Sequence, residues 1–248
     1  MASVDVVVPV YNEEKALPSS IPALQRFLAG PSFPYEWRIV IGDNASTDGT
    51  PNVGRRLEDS SAGKIEYVRI ERKGRGFALK QIWGASRADI VSYMDVDLST
   101  GLEAFPALIG AVAERRGDIA IGSRLAAGSR VTRSLRRRVL TRGYNSLIKV
   151  MFGARFSDAQ CGFKAASRET AGQILPLVED SNWFFDTELL ILAEKLGYRI
   201  SEVPVEWVED TDTRVKIATT VREDLRGLLR MWVNRPWKRA KAKAEQAP

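Results

Sequence analysis

The chain has 248 residues, of which 44% are apolar and 27% charged, and it carries a formal net charge of +6. That composition excludes a disordered chain and allows one large domain with a sizeable buried core. There is no histidine and one cysteine, Cys161, which excludes histidine triads and bases, cysteine zinc sites and an internal disulfide, so a catalytic metal would rest on oxygen, favouring Mg²⁺ or Mn²⁺.

Residues 4–10 form an almost continuous apolar, β-branched run, the pattern of a buried parallel strand. A helix is predicted over 14–28, after the Tyr11-Asn12-Glu13 turn. A second strand over 37–41 ends at Gly42-Asp43-Asn44, and Asp48-Gly49-Thr50-Pro51 marks a turn and a helix start. A third strand follows at 65–70, a helix at 76–86, a fourth strand at 89–94, a helix at 102–115 and a further strand at 118–122. This alternation implies an α/β fold: a mostly parallel sheet with right-handed crossovers and flanking helices.

The second half is less regular. An amphipathic helix over 138–152 sets Leu140, Tyr144, Leu147, Ile148 and Met151 on one face, opposite Arg138, Arg142 and Lys149. A loop at 156–164 leads into a short strand, followed by a helix at 183–196 and a strand at 198–205. A second amphipathic helix over 217–232 carries Ile217, Val221, Leu225, Leu228, Leu229 and Trp232 on one side, beside Arg222, Arg226 and Arg230. No Pro-, Gly- or Ser-rich segment divides the chain, so 1–235 reads as one domain and 236–248 as a basic, disordered tail. No run of about 18 apolar residues predicts a transmembrane helix, and no secretory leader pattern opens the chain.

Open parallel sheets bind ligands beyond the carboxyl ends of their strands. Here those tips read Pro9-Val10-Tyr11-Asn12-Glu13, Asp43 to Gly49, Asp95-Val96-Asp97 and Gly122-Ser123-Arg124. Asp95 and Asp97, alternating after an apolar strand, can offer hard oxygen ligands to a divalent cation that keeps its other positions for water and phosphate. Between residues 119 and 157 there is no acidic residue against nine basic ones, Arg124, Arg130, Arg133, Arg136, Arg137, Arg138, Arg142, Lys149 and Arg155. The tail repeats the bias with Arg235, Lys238, Arg239, Lys241 and Lys243. Such blocks suggest an anionic partner. Nucleic acid is not expected, because no recognised motif or stacking-aromatic platform accompanies the charge.

These tips resemble a known family. Val8-Pro9-Val10-Tyr11-Asn12-Glu13-Glu14, the DNASTDGT run at 43–50, Met94-Asp95-Val96-Asp97-Leu98 and Gly122-Ser123-Arg124 are similar in order and spacing to the family-2 inverting glycosyltransferases. In the second half, Arg133-Ser134-Leu135-Arg136-Arg137, Ser157-Asp158-Ala159-Gln160-Cys161-Gly162-Phe163-Lys164 and Phe184-Phe185-Asp186-Thr187-Glu188-Leu189-Leu190 resemble the dolichyl-phosphate (polyprenyl-phosphate) β-glucosyltransferases. The resemblance implies a Rossmann-like nucleotide-sugar-binding sheet in 1–125 and an acceptor- and membrane-facing half in 126–235. It implies a nucleotide-diphospho-sugar donor, UDP-glucose, and a polyprenyl-phosphate acceptor. GDP-mannose as donor and a small soluble acceptor remain as alternatives.

By the same resemblance, Pro9, Tyr11 and Glu13 frame the nucleoside and Asp43 bonds the base. Asp95 contacts ribose or the metal region, and Asp97 ligates the metal. Arg124 faces the phosphates or the acceptor, while Asp158 and Gln160 lie on the sugar side. Asp48 is expected to cap a helix, Asp186 and Glu188 either stabilise a helix start or face substrate, and Gly74-Arg75-Gly76 shapes a loop near the donor. A phosphate acceptor is anionic near neutral pH, its second pKa being about 6, and needs orientation more than deprotonation. Arg124, Arg130, Arg133, Arg214 and Lys216 are the candidates for holding it. A hydroxyl acceptor would need a base, and Asp158 is the candidate. The basic amphipathic stretches fit a peripheral position on the cytoplasmic face of a membrane. No pattern specifies an oligomeric state.

Overall fold

The computed structural model describes residues 1–208 and 217–245, apart from the side chains of 217, 218 and 243–245. Its strands are β1 (Ser3–Val10), β2 (Glu36–Asn44), β3 (Ile65–Ile70), β4 (Ile90–Met94), β5 (Ile119–Ser123), β6 (Arg130–Thr132), β7 (Phe163–Ser167), β8 (Ile200–Pro204) and β9 (Glu206–Val208). Its helices are α1 (Leu17–Leu28), α2 (Thr50–Asp59), α3 (Arg75–Ala85), α4 (Phe105–Ala113), α5 (Leu135–Phe152), α6 (Arg168–Ile174), α7 (Phe185–Leu196), α8 (Ile217–Asn234) and α9 (Pro236–Glu245).

Seven strands form one sheet in the order β3-β2-β1-β4-β7-β5-β8, parallel throughout except for β7. The two halves of the chain therefore share a single sheet. The alternation of β1 sorts it between two layers. Val4, Val6 and Val8 pack with Leu17, Ile21 and Leu24 of α1 and Phe105 and Leu108 of α4. Val7 faces the other way, with Leu79 and Trp83 of α3 and Leu189 of α7. Each such buried side chain contributes about 1.5–3 kcal/mol relative to exposure.

The reversed strand is what shapes the site. α5 ends at Gly153, whose φ of +65° lets the chain leave the helix without a Cβ penalty. The segment 154–162 then crosses the carboxyl edge of the sheet before β7 descends between β4 and β5. Asp158, Gln160 and Gly162 thus lie at the same edge as the tips of β4 and β5. A small ribbon of β6 and β9 stands outside the sheet, tied to the β4 tip by a Thr100–Trp207 bridge.

Two expectations change. Where a disordered tail was expected, Pro236–Glu245 form α9, and Trp237 packs edge-on against Phe152 with centroids 6.1 Å apart. α8 docks through Asp224, Gly227, Leu228 and Met231, one step round from the face that hydropathy marked. Gly227 lies so close to the Phe184 ring that a Cβ there would overlap it. Val221, Leu225, Leu229 and Trp232 consequently point outward, 43–57% exposed. α6, capped by Ser167 Oγ accepting from Thr170 N at 3.1 Å, and the β6–β9 ribbon had no sequence expectation.

Candidate functional site

The loops after β1 and β2 are laced together. Asn12 sits at φ +57°, and its Oδ1 accepts from Thr47 N at 2.8 Å while Ser46 Oγ accepts from Asn12 N at 2.9 Å. Asp48 Oδ1 accepts from Thr50 N at 2.9 Å, but the N-cap of α2 is Gly49, so Asp48 tightens the turn before the helix rather than capping it. Glu13 N donates to Thr50 Oγ1 at 2.8 Å. Pro9 lies beside Gly42 in the β1–β2 register. Tyr11 lies under the Lys73 ammonium, 3.8 Å from its ring centroid, and Lys73 draws the phenol below its ordinary pKa. Asp43 is fully buried and accepts from Ser46 N, the Tyr67 hydroxyl and Arg69, the last at 3.2 Å. A base-contacting role for Asp43 would therefore be shared with Tyr67 and Arg69.

Asp95 follows β4 at the centre of the edge. Its carboxylate takes Arg75 Nη2 at 2.7 Å, and Arg75 Nη1 reaches Asp186 at 2.8 Å. Asp186 also binds Lys164 Nζ at 3.0 Å and the Tyr93 hydroxyl. Burial alone would raise the Asp186 pKa, but Lys164 and Arg75 outweigh it and hold it low. Burial likewise acts to deprotonate Arg75, and Asp95 and Asp186 reverse this, keeping it charged. Asp186 thus acts inside the protein, behind Asp95. Glu188 is interior too: it accepts from Asp180 N and Arg230 Nη2, both at 2.8 Å.

Gly162 is the close neighbour of Asp95; a Cβ at that position would overlap the carboxyl group. Asp97 is exposed, and its Oδ1 accepts from Ser99 N at 2.9 Å. Among the described residues no group of three or more Asp, Glu, Cys or His gathers. A metal here would take two carboxylates from the chain and the rest of its shell from diphosphate oxygens and water, which suits Mg²⁺ or Mn²⁺.

Arg124, at the β5 tip, is clamped by Asp158. Nε reaches Oδ2 at 2.7 Å, Nη2 reaches Oδ1 at 2.8 Å, and the Arg124 N–H donates to Oδ2 at 3.0 Å. Burial would raise the Asp158 pKa; the Arg124 charge and hydrogen bonds win and lower it. A fully buried, paired, acidic carboxylate is a poor proton acceptor, and the carboxylate expected to serve a hydroxyl acceptor as a base is here bonded to Arg124 through both oxygens. Trp207 lies between two arginines, 5.5 Å from Arg124 and 5.3 Å from Arg133. A cavity of about 220 Å³ opens among Arg124, Leu125, Ser129, Val131, Arg133, Arg138 and Arg142. Arg130 is not among them; it is an exposed partner of Glu206 at 2.9 Å. Arg214 and Lys216 lie outside the described residues.

Arg75, Lys73, Lys164, Trp207, Arg138 and Arg142 had no site role in the sequence reading. Gly74-Arg75-Gly76 was the available signal for Arg75. Arg138 and Arg142 were visible as the polar face of α5 and as members of the basic block, without a site role.

Among the described residues no helix is long and apolar enough to cross a membrane. Residues 5–175 match the family model described as Glycosyl transferase family 2. Glycosyltransferase AglD of Haloferax volcanii is 33% identical over 233 residues, which cover 92% of this chain and 37% of that protein. The dolichyl-phosphate beta-glucosyltransferase of Drosophila melanogaster is 34% identical over 244 residues, covering 92% of this chain and 74% of that protein. Among solved structures, glucosyl-3-phosphoglycerate synthase from Mycobacterium tuberculosis, in complex with Mn²⁺, UDP and glucosyl-3-phosphoglycerate, superposes with a TM-score of 0.69. It is 21% identical, with 93% of this chain and 80% of that chain covered, a likeness of fold. The strand-tip motifs, the sheet that carries them and the match over most of the sheet lead to one conclusion: the chain belongs to glycosyl transferase family 2 and is a glycosyltransferase.

Proposed function

We propose that the chain transfers glucose from UDP-glucose to a polyprenyl phosphate, with inversion, while lying on the cytoplasmic face of a membrane. The observation that carries this reading is the arginine-lined cavity beside the β5 tip, close enough to the β4 tip that Asp95 acts electrostatically on Arg124. Relatives named dolichyl-phosphate beta-glucosyltransferase support the sugar and the acceptor. The exposed Leu135, Val139 and Val150 of α5, with its arginines, support the membrane position.

In this reading Pro9, Tyr11, Glu13, Asp43 and Gln160 bind the donor, with its diphosphate at Asp95 and Asp97. A bound Mg²⁺ or Mn²⁺ supplies charge neutralisation for the departing diphosphate. Arg124, Arg133, Arg138 and Arg142 orient the acceptor phosphate by forked hydrogen bonds. A phosphate oxygen forms the new bond to the anomeric carbon; the bond to UDP breaks, and UDP leaves with the electron pair. No protein base is required, which agrees with the tied state of Asp158.

The test is turnover of radiolabelled UDP-glucose with Mn²⁺ or Mg²⁺, with and without a short polyprenyl phosphate, alongside Asp97→Ala. Labelled lipid that disappears on chelation is the expected result. The substitution should lower turnover on the order of 100- to 1,000-fold, the scale of one electrostatic contact at a transition state. Product from GDP-mannose alone would change the sugar, and product on a small phosphorylated acceptor alone would remove the lipid.

A further inference from the structure

One buried carboxyl group outside the residues assigned above is incompletely bonded. Asp224 lies on the docked face of α8 and is 4% exposed. Its Oδ2 accepts from Gln160 Nε2 at 2.7 Å, while its Oδ1 is buried without a hydrogen-bond partner. The acidic groups acting on it come from every side: Asp186 from α7, Asp180 from the preceding loop and Glu223 from its own helix. From α5, Tyr144 faces it closely enough for the Asp224 charge to raise the phenol pKa. Burial and these carboxylates push Asp224 up to about 7, against the opposing effect of the Gln160 bond.

Gln160 occupies the middle of the crossing segment. Asp158 on one side grips Arg124, and Gly162 on the other lies against Asp95. The Gln160 amide has a donor end and an acceptor end. An ionised Asp224 only accepts, so it takes the NH₂ end and leaves the carbonyl end for another partner. A neutral Asp224 can use its proton in the dry interior only by donating to the Gln160 carbonyl, which turns the NH₂ end the other way.

We propose that Asp224 is a positioning residue whose protonation state decides which end of the Gln160 amide meets the donor sugar. This rests on the reading that Gln160 contacts the donor. Ionised Asp224 presents a carbonyl, an acceptor for a sugar hydroxyl. Neutral Asp224 presents NH₂ and loses that bond. UDP, which has no hexose, does not sense the change.

The experiment has two arms. In the first, the side-chain amide of Gln160 in ¹⁵N-labelled protein, identified by its loss in Gln160→Ala, is followed by NMR from pH 5.5 to 8.5 without ligand. It is expected to titrate with a midpoint near 7 in the wild type and to stay constant in Asp224→Asn. An amide that does not titrate, or that titrates equally in Asp224→Asn, overturns the proposal. In the second arm, UDP-glucose and UDP are titrated with Mn²⁺ across the same range. UDP-glucose affinity should fall about three- to tenfold below pH 7 in the wild type, the worth of one hydrogen bond. UDP, whose terminal phosphate itself titrates at about 6, should show one and the same pH profile in the wild type and in Gln160→Ala. Gln160→Ala should flatten the UDP-glucose profile, and serves if Asp224→Asn does not fold. A UDP-glucose pH profile that is the same in the wild type and in Gln160→Ala overturns the presentation of the amide to the sugar. A titrating amide in a protein that binds no UDP-glucose removes the donor reading and leaves the coupling of Asp224 to Gln160 standing.

Discussion

The carboxyl edge of the sheet and the outer face of α5 handle charge in opposite ways, and α8 adds a helix with one docked and one exposed face. At the edge, Asp43, Asp95, Asp158 and Asp186 each meet a cation of the same protein: Arg69, Arg75, Arg124 and Lys164. α5 contains no acidic residue, and Arg136, Arg138, Arg142 and Lys149 are exposed beside exposed Leu135, Val139 and Val150. Paired charges with at least one buried or nearly buried member hold their geometry. Basic charges with no acidic neighbour on their helix build a potential and draw an anion. One region is built to hold groups still, the other to attract a surface.

The sharpest break of that comparison is Asp158→Asn. The Arg124 side chain, 11% exposed, would keep its charge, lose its counter-charge and meet an NH₂ donor in place of one carboxylate oxygen. Thermal and denaturant unfolding should report a loss of about 3–5 kcal/mol. The pH dependence has a definite sign. The folded-state pKa of Asp158 lies below the usual carboxylate value, so its contribution is complete above that value and vanishes as pH falls through the lowered one. The variant should lack this acid-sensitive component. Unfolding indistinguishable from wild type would mean the clamp does not hold Arg124.

Leu228 and Leu229 test the comparison within a single helix. Leu228 is 1% exposed and Leu229 57%. Leu228→Ala should cost about 2–5 kcal/mol of stability. Leu229→Ser should change stability within about 0.5 kcal/mol while weakening binding to vesicles. If Leu229→Ser leaves vesicle binding intact, the outer face of α8 does not enter the interface.

Gly162→Ala addresses the edge alone. The new Cβ would displace the Asp95 carboxyl group. UDP affinity in the presence of Mn²⁺ should fall about 10- to 100-fold, the usual cost of disturbing a group that supports a metal site. Metal-free affinity and the melting temperature should move far less. Equal losses with and without Mn²⁺ would detach Asp95 from the metal.

What could be read in advance follows the range of each interaction. The tips at Asp43, Asp95 and Arg124 were legible because a β-branched run and the turn after it are contiguous in sequence. The partners of those tips were not. Arg75 joins Asp95, 20 residues on, to Asp186, 111 residues on, and no local periodicity encodes such a pairing. The reversal of β7 was equally hidden, since a short strand carries no mark of its direction. The docked face of α8 was misjudged because Asp224 and Gly227 lower its apparent hydropathy, although Gly227 is what admits the Phe184 ring. The arginine block was legible as charge, but the separation of Arg130 from the cavity depends on β6 pairing with β9.

The smallest expected effect falls on a single arginine of α5. Arg136 is exposed and does not line the cavity, so Arg136→Ala should leave the melting temperature and UDP-glucose affinity unchanged. A basic residue near an anionic surface contributes about 1 kcal/mol, so partition onto vesicles containing anionic lipid should weaken about fivefold. The difference between variant and wild type should shrink as salt is raised, because screening removes the attraction that the residue supplied. A fivefold loss that persists at high salt would point to a contact of fixed geometry, and α5 would then belong with the paired charges of the sheet edge rather than with the surface that attracts.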